Sequence, residues 1–544
     1  RGEFMVGYWS AQCNGVAFDP SLEYAPPVNA AGAAYPNASF TAARPDGFRG
    51  STATTNLPTN LNNSFYYVYV PYTGSPAAMS WTYYSSGAAN ESTVFYRECM
   101  QTMAAAEASG RFRKVTLNTA DTSAEAVALR QKYANWYTYY RSRKLTMRSA
   151  VGRSFRSIGE NYRVGITLLS DASVTSSSFL GVNDFVDRSG VGSGLQRSDF
   201  YRLLYSAETV DGWTPLRGAL SKVGRYFGKT YPGQSTDPVQ HSCQRNYALL
   251  STDGYWNEGK VGEPGYETGN YRPFKFDNSG LVGQQDGTLA RPYRDSTGSD
   301  GGGDSNSLAD VAYHFWSQDL RPDLKNDVPA TERDSATHQH LTTFTVGLGV
   351  RGTLTYDRNY LTQTSGDYAD IVAGRKQWPV PTGTKDSSAY GDATHIDDLW
   401  HAAVNGRGQY FSASNPDSLA DAISTMISEI SKDSGSGAGA GTSTLTPVTG
   451  DDWIFLPSFS SSPSWHGDIR AFRFASDPLT GALIAPDTAE GKEIWSARRK
   501  LDARAEPRRI LFGKPDGTLA DFTYANLQAA NLQGSFDIAC TATQ

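Results

Sequence analysis

Thr342-Thr-Phe-Thr-Val-Gly-Leu348 is the stretch that decides the fold. It is a short, β-branched and apolar run, the pattern of a strand buried on both faces. Comparable runs stand on either side of it. Arg163-Val-Gly-Ile-Thr-Leu-Leu169 reads as one buried strand, Tyr247-Ala-Leu-Leu250 as another that ends at Asp253-Gly254, and Gln409-Tyr-Phe-Ser412 as a short fourth. Helix-period segments lie between them. One runs from about Ala124 to Ile158 with room for a single break, and others start near Pro215, Ser307 and Ile396. Strands alternating with helices predict an α/β fold, with a mostly parallel sheet covered on both faces.

Outward from this alternation, long polar inserts fall at about 10–120 and 257–305. A last helix begins at Asn415-Pro416 and reaches about Ser431. Asn415 suits an N-cap and Pro416 the first turn, and Leu419, Ile423, Met426, Ile427 and Ile430 keep the helical period. Ser434-Gly-Ser-Gly-Ala-Gly-Ala-Gly441 then has nothing to bury, so 434–444 reads as a linker. Beyond it, Trp453-Ile-Phe-Leu456 and Ile469-Arg-Ala-Phe-Arg-Phe474 read as strands. The expected organisation is 6–433 as one unit and 445–544 as a β-rich second. Arg1-Gly-Glu-Phe-Met5 reads as an expression scar and is left out of fold reasoning. No internal repeat is visible.

The 544 residues carry 49 Lys+Arg against 55 Asp+Glu, a formal net charge of −6. No basic block stands out, which argues against a nucleic-acid partner. No run of about 18 apolar residues exists, so no transmembrane helix is expected. Cys13, Cys99, Cys243 and Cys540 show neither CxxC nor zinc-ligand spacing, and three full pairings are possible. No GxSxG, HExxH, P-loop or dinucleotide fingerprint occurs, and no catalytic constellation stands out. The expectation is a protein that is not an enzyme.

Ligands of open α/β sheets gather beyond the carboxyl ends of the strands. Thr214, in Gly212-Trp-Thr-Pro-Leu216, and Asp253 fall at such ends. A hydroxyl and a carboxylate suit Mg²⁺; the competing readings are a helix N-cap and an Asp-Gly turn. Asp171-Ala-Ser173-Val-Thr175 imitates a DxSxS metal loop but reads better as a Ser/Thr-rich turn. Asp295, Asp300 and Asp304 cluster as Ca²⁺ ligands would, without EF-hand spacing, and read better as a solvated loop. His338 and His340 would share one side of a strand entry, where packing is the simpler reading. Tyr66, Tyr67, Tyr69, Tyr72, Trp81, Tyr83 and Tyr84 are candidate contacts on an insert. The competing reading makes Phe65-Tyr-Tyr-Val-Tyr-Val70 a buried strand.

Several segments, in order, resemble the N-terminal region of the PilC/PilY family of type IV pilus tip proteins. They include Asn14-Gly-Val-Ala-Phe-Asp-Pro20, Tyr133-Ala-Asn-Trp-Tyr-Thr-Tyr-Tyr-Arg141 and Thr214-Pro-Leu-Arg217. Thr252-Asp-Gly-Tyr-Trp-Asn257, Phe344-Thr-Val-Gly-Leu-Gly349 and Asp398-Leu-Trp-His-Ala-Ala-Val404 continue the series. Trp465-His-Gly-Asp468 with Ala471 and Trp495-Ser-Ala497 follows after the linker. The resemblance implies a von Willebrand factor A-like, Rossmann-type domain with large insertions. A β-rich segment leading toward a β-propeller would follow, the propeller being largely absent from these residues. It implies Ca²⁺ only for that propeller. The family's metal motif opens with Asp-x-Ser-x-Ser upstream of Tyr8-Trp9. That motif is missing here, which leaves Thr214 and Asp253 as two corners of a site and the first strand of the A fold unaccounted for. The implied protein is exported and sits at the pilus tip, with periplasmic and outer-membrane stages in a Gram-negative-type bacterium. Its implied partners are minor pilins and a host or abiotic surface. Its implied roles are adhesion, surface sensing, pilus biogenesis and twitching motility. The alternative is a force-bearing structural element with no ligand of its own. Export also favours at least one disulfide.

Overall fold

The structure, a computed structural model, describes residues 4–49, 54–57, 64–70, 98–159, 162–171, 173–188, 194–206, 214–252, 256, 272–295, 305–331, 333–381, 393–434, 441–442, 453–460, 466–473, 475–476, 483–484, 493–506, 508–514 and 516–535. The chain is mixed α/β and divides into two compact units, Arg1–Glu429 and Ile430–Gln544.

The first unit is organised on a three-stranded parallel sheet. Its strands are β5 (Asn246–Thr252), β6 (Leu341–Leu348) and β7 (Arg407–Ala413), hydrogen-bonded in the order β5–β6–β7. All eight residues of β6 are buried, which is why its sequence is a continuous run rather than an alternation. Crossover helices return the chain between parallel strands. Here they are α5 (Leu308–Ser317), between β5 and β6, and α6 (Thr394–Asn405), between β6 and β7. Another helix, α4 (Leu216–Phe227), leads toward β5. Leu216, Leu220, Ala248, Leu250, Val311, Phe315, Leu341, Leu399 and Tyr410 form the shared core. Ser307 starts α5 with a capping box: its Oγ accepts from the Asp310 backbone N–H at 3.0 Å, and Asp310 Oδ2 accepts from the Ser307 N–H at 2.9 Å.

The helical stretch after Ala124 breaks once. It forms α1 (Ala124–Tyr139) and α2 (Arg143–Ser154), with Ser142 capping the second by accepting from Leu145 N–H. Helix α1 braces the N-terminal insert. Phe18 packs edge-to-face on Tyr66, Tyr133 and Trp136 at 5.2, 4.9 and 5.8 Å. In that insert β1 (Phe65–Tyr69) pairs antiparallel with β2 (Phe112–Thr116).

One expectation needs correcting. The run 163–169 does not join the parallel sheet. It gives a shorter, half-buried strand, β3 (Arg163–Ile166), paired antiparallel with β4 (Leu180–Asp184) as a separate hairpin. The turn between them carries the Ser/Thr-rich segment after Asp171, whose local hydrogen bonds fold the chain straight back. Helix α3 (Gln196–Ser206) packs on this hairpin: Gln196 Nε2 donates to Gly181 O at 2.7 Å, and Phe200, Tyr201 and Leu204 cover Val164, Ile166 and Leu180.

Helix α7 (Pro416–Ser434) follows β7. Asn415 Oδ1 accepts from Ser418 N–H at 2.9 Å and Ser418 Oγ accepts from Asn415 N–H at 3.0 Å, a reciprocal cap. Leu419, Ile423 and Met426 form its buried stripe. Of the 434–444 linker, 435–440 and 443–444 lie outside the described residues.

In the second unit β8 (Trp453–Ser460) pairs antiparallel with β9 (His466–Arg473). A short strand, β10 (Trp495–Ser496), adds to β9. Ile454, Ala471 and Phe472 are its buried centre. Among the described residues these sheets stay open and form no closed barrel.

Candidate functional site

The carboxyl end of the parallel sheet collects the first turns of three helices. Thr214 lies just before α4, whose N-cap is Pro215 and not the threonine hydroxyl. Arg217, in the first turn of α4, donates to Asn306 O at 2.7 Å and lies over the Trp256 ring at 4.5 Å. Trp256 follows the end of β5 and stacks flat on His395 of α6, with centroids 3.9 Å and planes 7° apart. Two acidic residues of α6 tie down the neighbouring backbone. Asp398 accepts from Leu308 and Ala309 N–H at 2.8 and 3.1 Å, so one helix caps another. Asp397 accepts from Leu354 N–H at 3.0 Å and from Thr353 N–H at 2.9 Å. Burial pushes the Asp397 carboxyl up to about 6 against these donors.

Asp253 and Trp81 lie outside the described residues, as do Tyr72, Tyr83, Tyr84, Asp300 and Asp304. The described residues therefore supply only the Thr214 corner of the expected Mg²⁺ site. Among them no three His, Cys, Asp or Glu side chains converge as a metal cage.

The alternative metal loop is a self-satisfied turn. Asp171 accepts from Ser173 N–H at 3.2 Å, from Ser176 Oγ at 2.6 Å and from Ser178 Oγ at 2.9 Å. Lys222 of α4 is buried beside it, donating to Thr167 Oγ1, Leu168 O and Asp171 O at 2.8, 3.2 and 2.6 Å. Burial pushes the Lys222 amine down to about 8. His338 meets Trp316 O at 2.9 Å and His340 meets Asp334 at 2.8 Å, so both imidazoles are occupied within the protein.

The contact candidates divide by burial. Tyr66 and Tyr67 are core, 6% and 1% exposed, because β1 turns them toward α1 and the N-terminal turn respectively. The Tyr67 hydroxyl donates to Glu107. Neither ring is placed to meet a partner. Tyr69 is half-buried against Phe112, at 5.2 Å.

Sequence reasoning missed an acidic interior cluster. Asp286 is fully buried and accepts from Asn405 Nδ2 at 2.6 Å. His401 Nε2 lies 3.6 Å from it and meets Tyr293 O at 2.9 Å. Gln284 Nε2 bridges Asp286 Oδ1 and both oxygens of Asp295 at 3.2–3.3 Å. Burial, then the nearby Asp310 and Asp295 charges, drives the Asp286 pKa upward. Burial also raises Asp310, against hydrogen bonds from Gln285 and Ser307. Burial pushes His401 down to about 3. Burial and these like charges favour the protonated form of Asp286.

A cleft of about 560 Å³ opens elsewhere, floored by Tyr35, Phe48, Tyr201 and Tyr205 and edged by Arg49 and Arg202. Cys13 and Cys99 are joined in a disulfide, and Cys243 is an exposed free thiol. In the second unit the quoted motifs meet directly: Asp468 accepts from Ser496 Oγ at 2.7 Å and from Arg498 N–H at 2.9 Å.

A parallel three-stranded core covered by helices, with a Cys13–Cys99 disulfide in the N-terminal insert, defines a mixed α/β protein. The chain is 33% identical over 439 residues to the type IV pilus biogenesis factor PilY1 of Pseudomonas aeruginosa PAO1, covering 74% of this chain and 35% of that one. It is 30% identical over 569 residues to PilY1 of strain PAK, covering 96% and 44%. It is 31% identical over 530 residues to PilY1 of strain UCBPP-PA14, covering 92% and 41%. These matches establish a PilC/PilY-family relationship. The chain spans well under half the length of these relatives. No family model matches the chain, and no solved structure matches it.

Proposed function

We propose that this chain works in type IV pilus biogenesis, as a non-enzymatic adhesin and assembly region at the pilus tip. The observation that carries this reading is its likeness, over 74–96% of its length, to factors named for pilus biogenesis. The fold is read as von Willebrand factor A-like, since parallel strands alternate with crossover helices and Thr214 lies just before a helix. On this reading the chain is exported and reaches the cell surface. It contacts minor pilins and a host or abiotic surface, and it serves surface sensing and twitching motility. On this reading Thr214 and Asp253 would hold Mg²⁺. No helix among the described residues is long and apolar enough to cross a membrane.

A second reading makes the region a force-bearing element without a ligand. The Cys13–Cys99 disulfide favours it, because it closes a loop with a sequence separation of 86. So does the burial of Tyr66 and Tyr67, which removes two contact candidates. Binding of the purified chain to cells, mucin and plastic separates the two. Saturable binding supports the adhesin; no binding, with piliation lost on deletion, supports the mechanical element. Unchanged piliation and no binding would overturn both. A melt in EDTA, Mg²⁺, Mn²⁺ and Ca²⁺, with Asp253→Ala alongside, tests the metal. Ligand linkage gives about 2.7 kcal/mol at a hundredfold excess over Kd, and a shift that Asp253→Ala leaves in place would remove the proposed site.

A further inference from the structure

Helix α3 turns one stripe toward the cleft of about 560 Å³: Ser198, Tyr201, Arg202, Tyr205 and Ser206 recur at helical spacing. The facing wall is the turn of the N-terminal insert at Asn29 and Ala30, with Tyr35 and Phe48 on the floor. The floor rings hold one another. Phe48 stacks on Tyr205, with centroids 4.3 Å and planes 17° apart. Tyr35 stands edge-on to Phe48 and Tyr205 at 5.8 and 5.6 Å. The Tyr201 hydroxyl donates to Gly152 O at 2.8 Å and the Tyr205 hydroxyl to Val28 O, so these rings offer carbon surface rather than donors. Arg197 Nε donates to Ala30 O at 2.7 Å and ties the turn to α3. The cleft is thus built before anything enters it, which lowers the ordering cost of binding.

Two guanidiniums stand at the rim. Asp46 Oδ2 serves both Arg49 Nε at 3.5 Å and Arg148 Nη1 at 3.3 Å, so one carboxylate answers two cations. Arg202 reaches a single oxygen, Asp199 Oδ1, through Nε at 3.1 Å and Nη2 at 3.0 Å. The Arg49 and Arg202 side chains are 46% and 59% exposed. Ion pairs this wet contribute little and exchange readily. A carboxylate brought by a ligand would be taken by the planar guanidinium forks. Asp187 is engaged at the start of α3, where it accepts from Ser198 N–H at 2.9 Å. Asn29 Oδ1 accepts from Ala33 N–H at 3.1 Å, which leaves the amide N–H groups of Asn29 to a ligand.

A bound peptide draws on backbone partners, and both walls are already paired. Helix α3 bonds within itself. The turn closes on itself, with Asn29 N–H donating to Ala33 O at 2.9 Å and Tyr35 N–H to Pro27 O at 2.8 Å. What the cleft offers is side chains: an aromatic floor, two guanidiniums and an amide. A sugar ring matches that set. Its C–H face packs on the negative face of an aromatic ring, while its hydroxyls radiate toward the rim. The cationic rim selects a sugar that carries a carboxylate.

We propose that this cleft binds a carboxylated pyranose, a hexuronic or nonulosonic acid unit of a glycan. Tyr35 and Phe48 lie beneath the sugar ring, Arg49 and Arg202 face its carboxylate, and Asn29 meets its hydroxyls. The proposal rests on the cleft alone and is independent of the pilus reading.

The test applies saturation-transfer NMR and calorimetry to the 544-residue chain with four probes: methyl glucuronide, N-acetylneuraminic acid, glucose and N-acetylphenylalanine. The expected result is saturable binding of an acidic sugar, with glucose at least about tenfold weaker. Binding of the glucuronide assigns the site to a uronate polysaccharide; binding of the neuraminate assigns it to sialylated glycans. Arg49→Gln with Arg202→Gln should weaken the acid at least about tenfold and leave the melting temperature in place, since both side chains are on the surface. Arg202→Lys, which keeps the charge and loses the fork, should weaken it less. Absence of saturable binding of both acids to the parent chain would overturn the inference whatever the variants do. So would equal affinity for glucose, or acid binding that the double variant retains. Preference for N-acetylphenylalanine would overturn it too, by assigning the cleft to a peptide terminus. Sugar binding by a chain that does not bind cells would uphold the cleft and remove the adhesin; cell binding without sugar binding would do the reverse.

Discussion

Asn405 donates its side-chain amide to Asp286 across 2.6 Å, joining residues 119 positions apart inside the core. The bond is made to a carboxyl that burial and the charges of Asp310 and Asp295 hold toward its neutral form. A group whose folded pKa is raised keeps its full contribution below its unfolded value and loses it as pH rises through the folded value. Stability from Asp286 therefore falls as pH climbs out of the carboxylate range. Asp286→Asn, which cannot ionise, should gain about 1–3 kcal/mol relative to the parent between about pH 5 and about pH 8. Urea denaturation at the two pH values checks this, and a difference independent of pH would contradict it.

Two buried histidines push the other way. Burial lowers His401 to about 3 and His314 to about 4. A base whose folded pKa is depressed contributes stability above its unfolded value and loses it as pH falls toward the folded one. Below about pH 6.5 the parent should lose stability, and His314→Gln with His401→Gln should flatten that acid limb in denaturation curves.

Gly224 of α4 faces Phe315 of α5 so closely that a Cβ would enter the ring. Gly224→Ala should cost about 1–3 kcal/mol by overpacking. Adding Phe315→Leu should return part of that loss, read as a coupling energy in a double-mutant cycle. Simple additivity would mean that the two helices yield elsewhere.

Cys13 and Cys99 are bonded. Cys13→Ser should cost about 2–5 kcal/mol, and a reducing agent should lower the parent by the same amount while leaving the variant unmoved. Thiol labelling of denatured, unreduced protein should leave at least two cysteines unreactive. Four reactive thiols would contradict the bond.

Much of the first unit is legible in the sequence because its signals are local. The 342–348 run, the starts of α4, α5 and α6, and the Asn415-Pro416 cap are written in neighbouring residues. A single break in the 124–158 stretch is legible as well, while its place at Ser142 is seen only in the structure. What escaped is non-local. Asp286, Asp310 and Asn405 become one cluster only through tertiary folding, and nothing near Asp286 marks it as buried. The run 163–169 has the composition of a sheet strand, but its partner is decided by the turn after Asp171 and by the strand beside it. Tyr66 and Tyr67 read equally well as contacts or core until α1 and the N-terminal turn are placed on them. At the candidate site, Thr214 was found by its position before a helix. The Arg217–Trp256–His395 stack carries no spacing that a linear reading could pick out.

The most direct measurement deletes the region encoding residues 1–544 in the source bacterium and counts surface type IV pili alongside twitching-zone diameter. The account predicts that both fall and that the intact gene restores them. Wild-type pilus numbers and twitching in the deletion strain would contradict it.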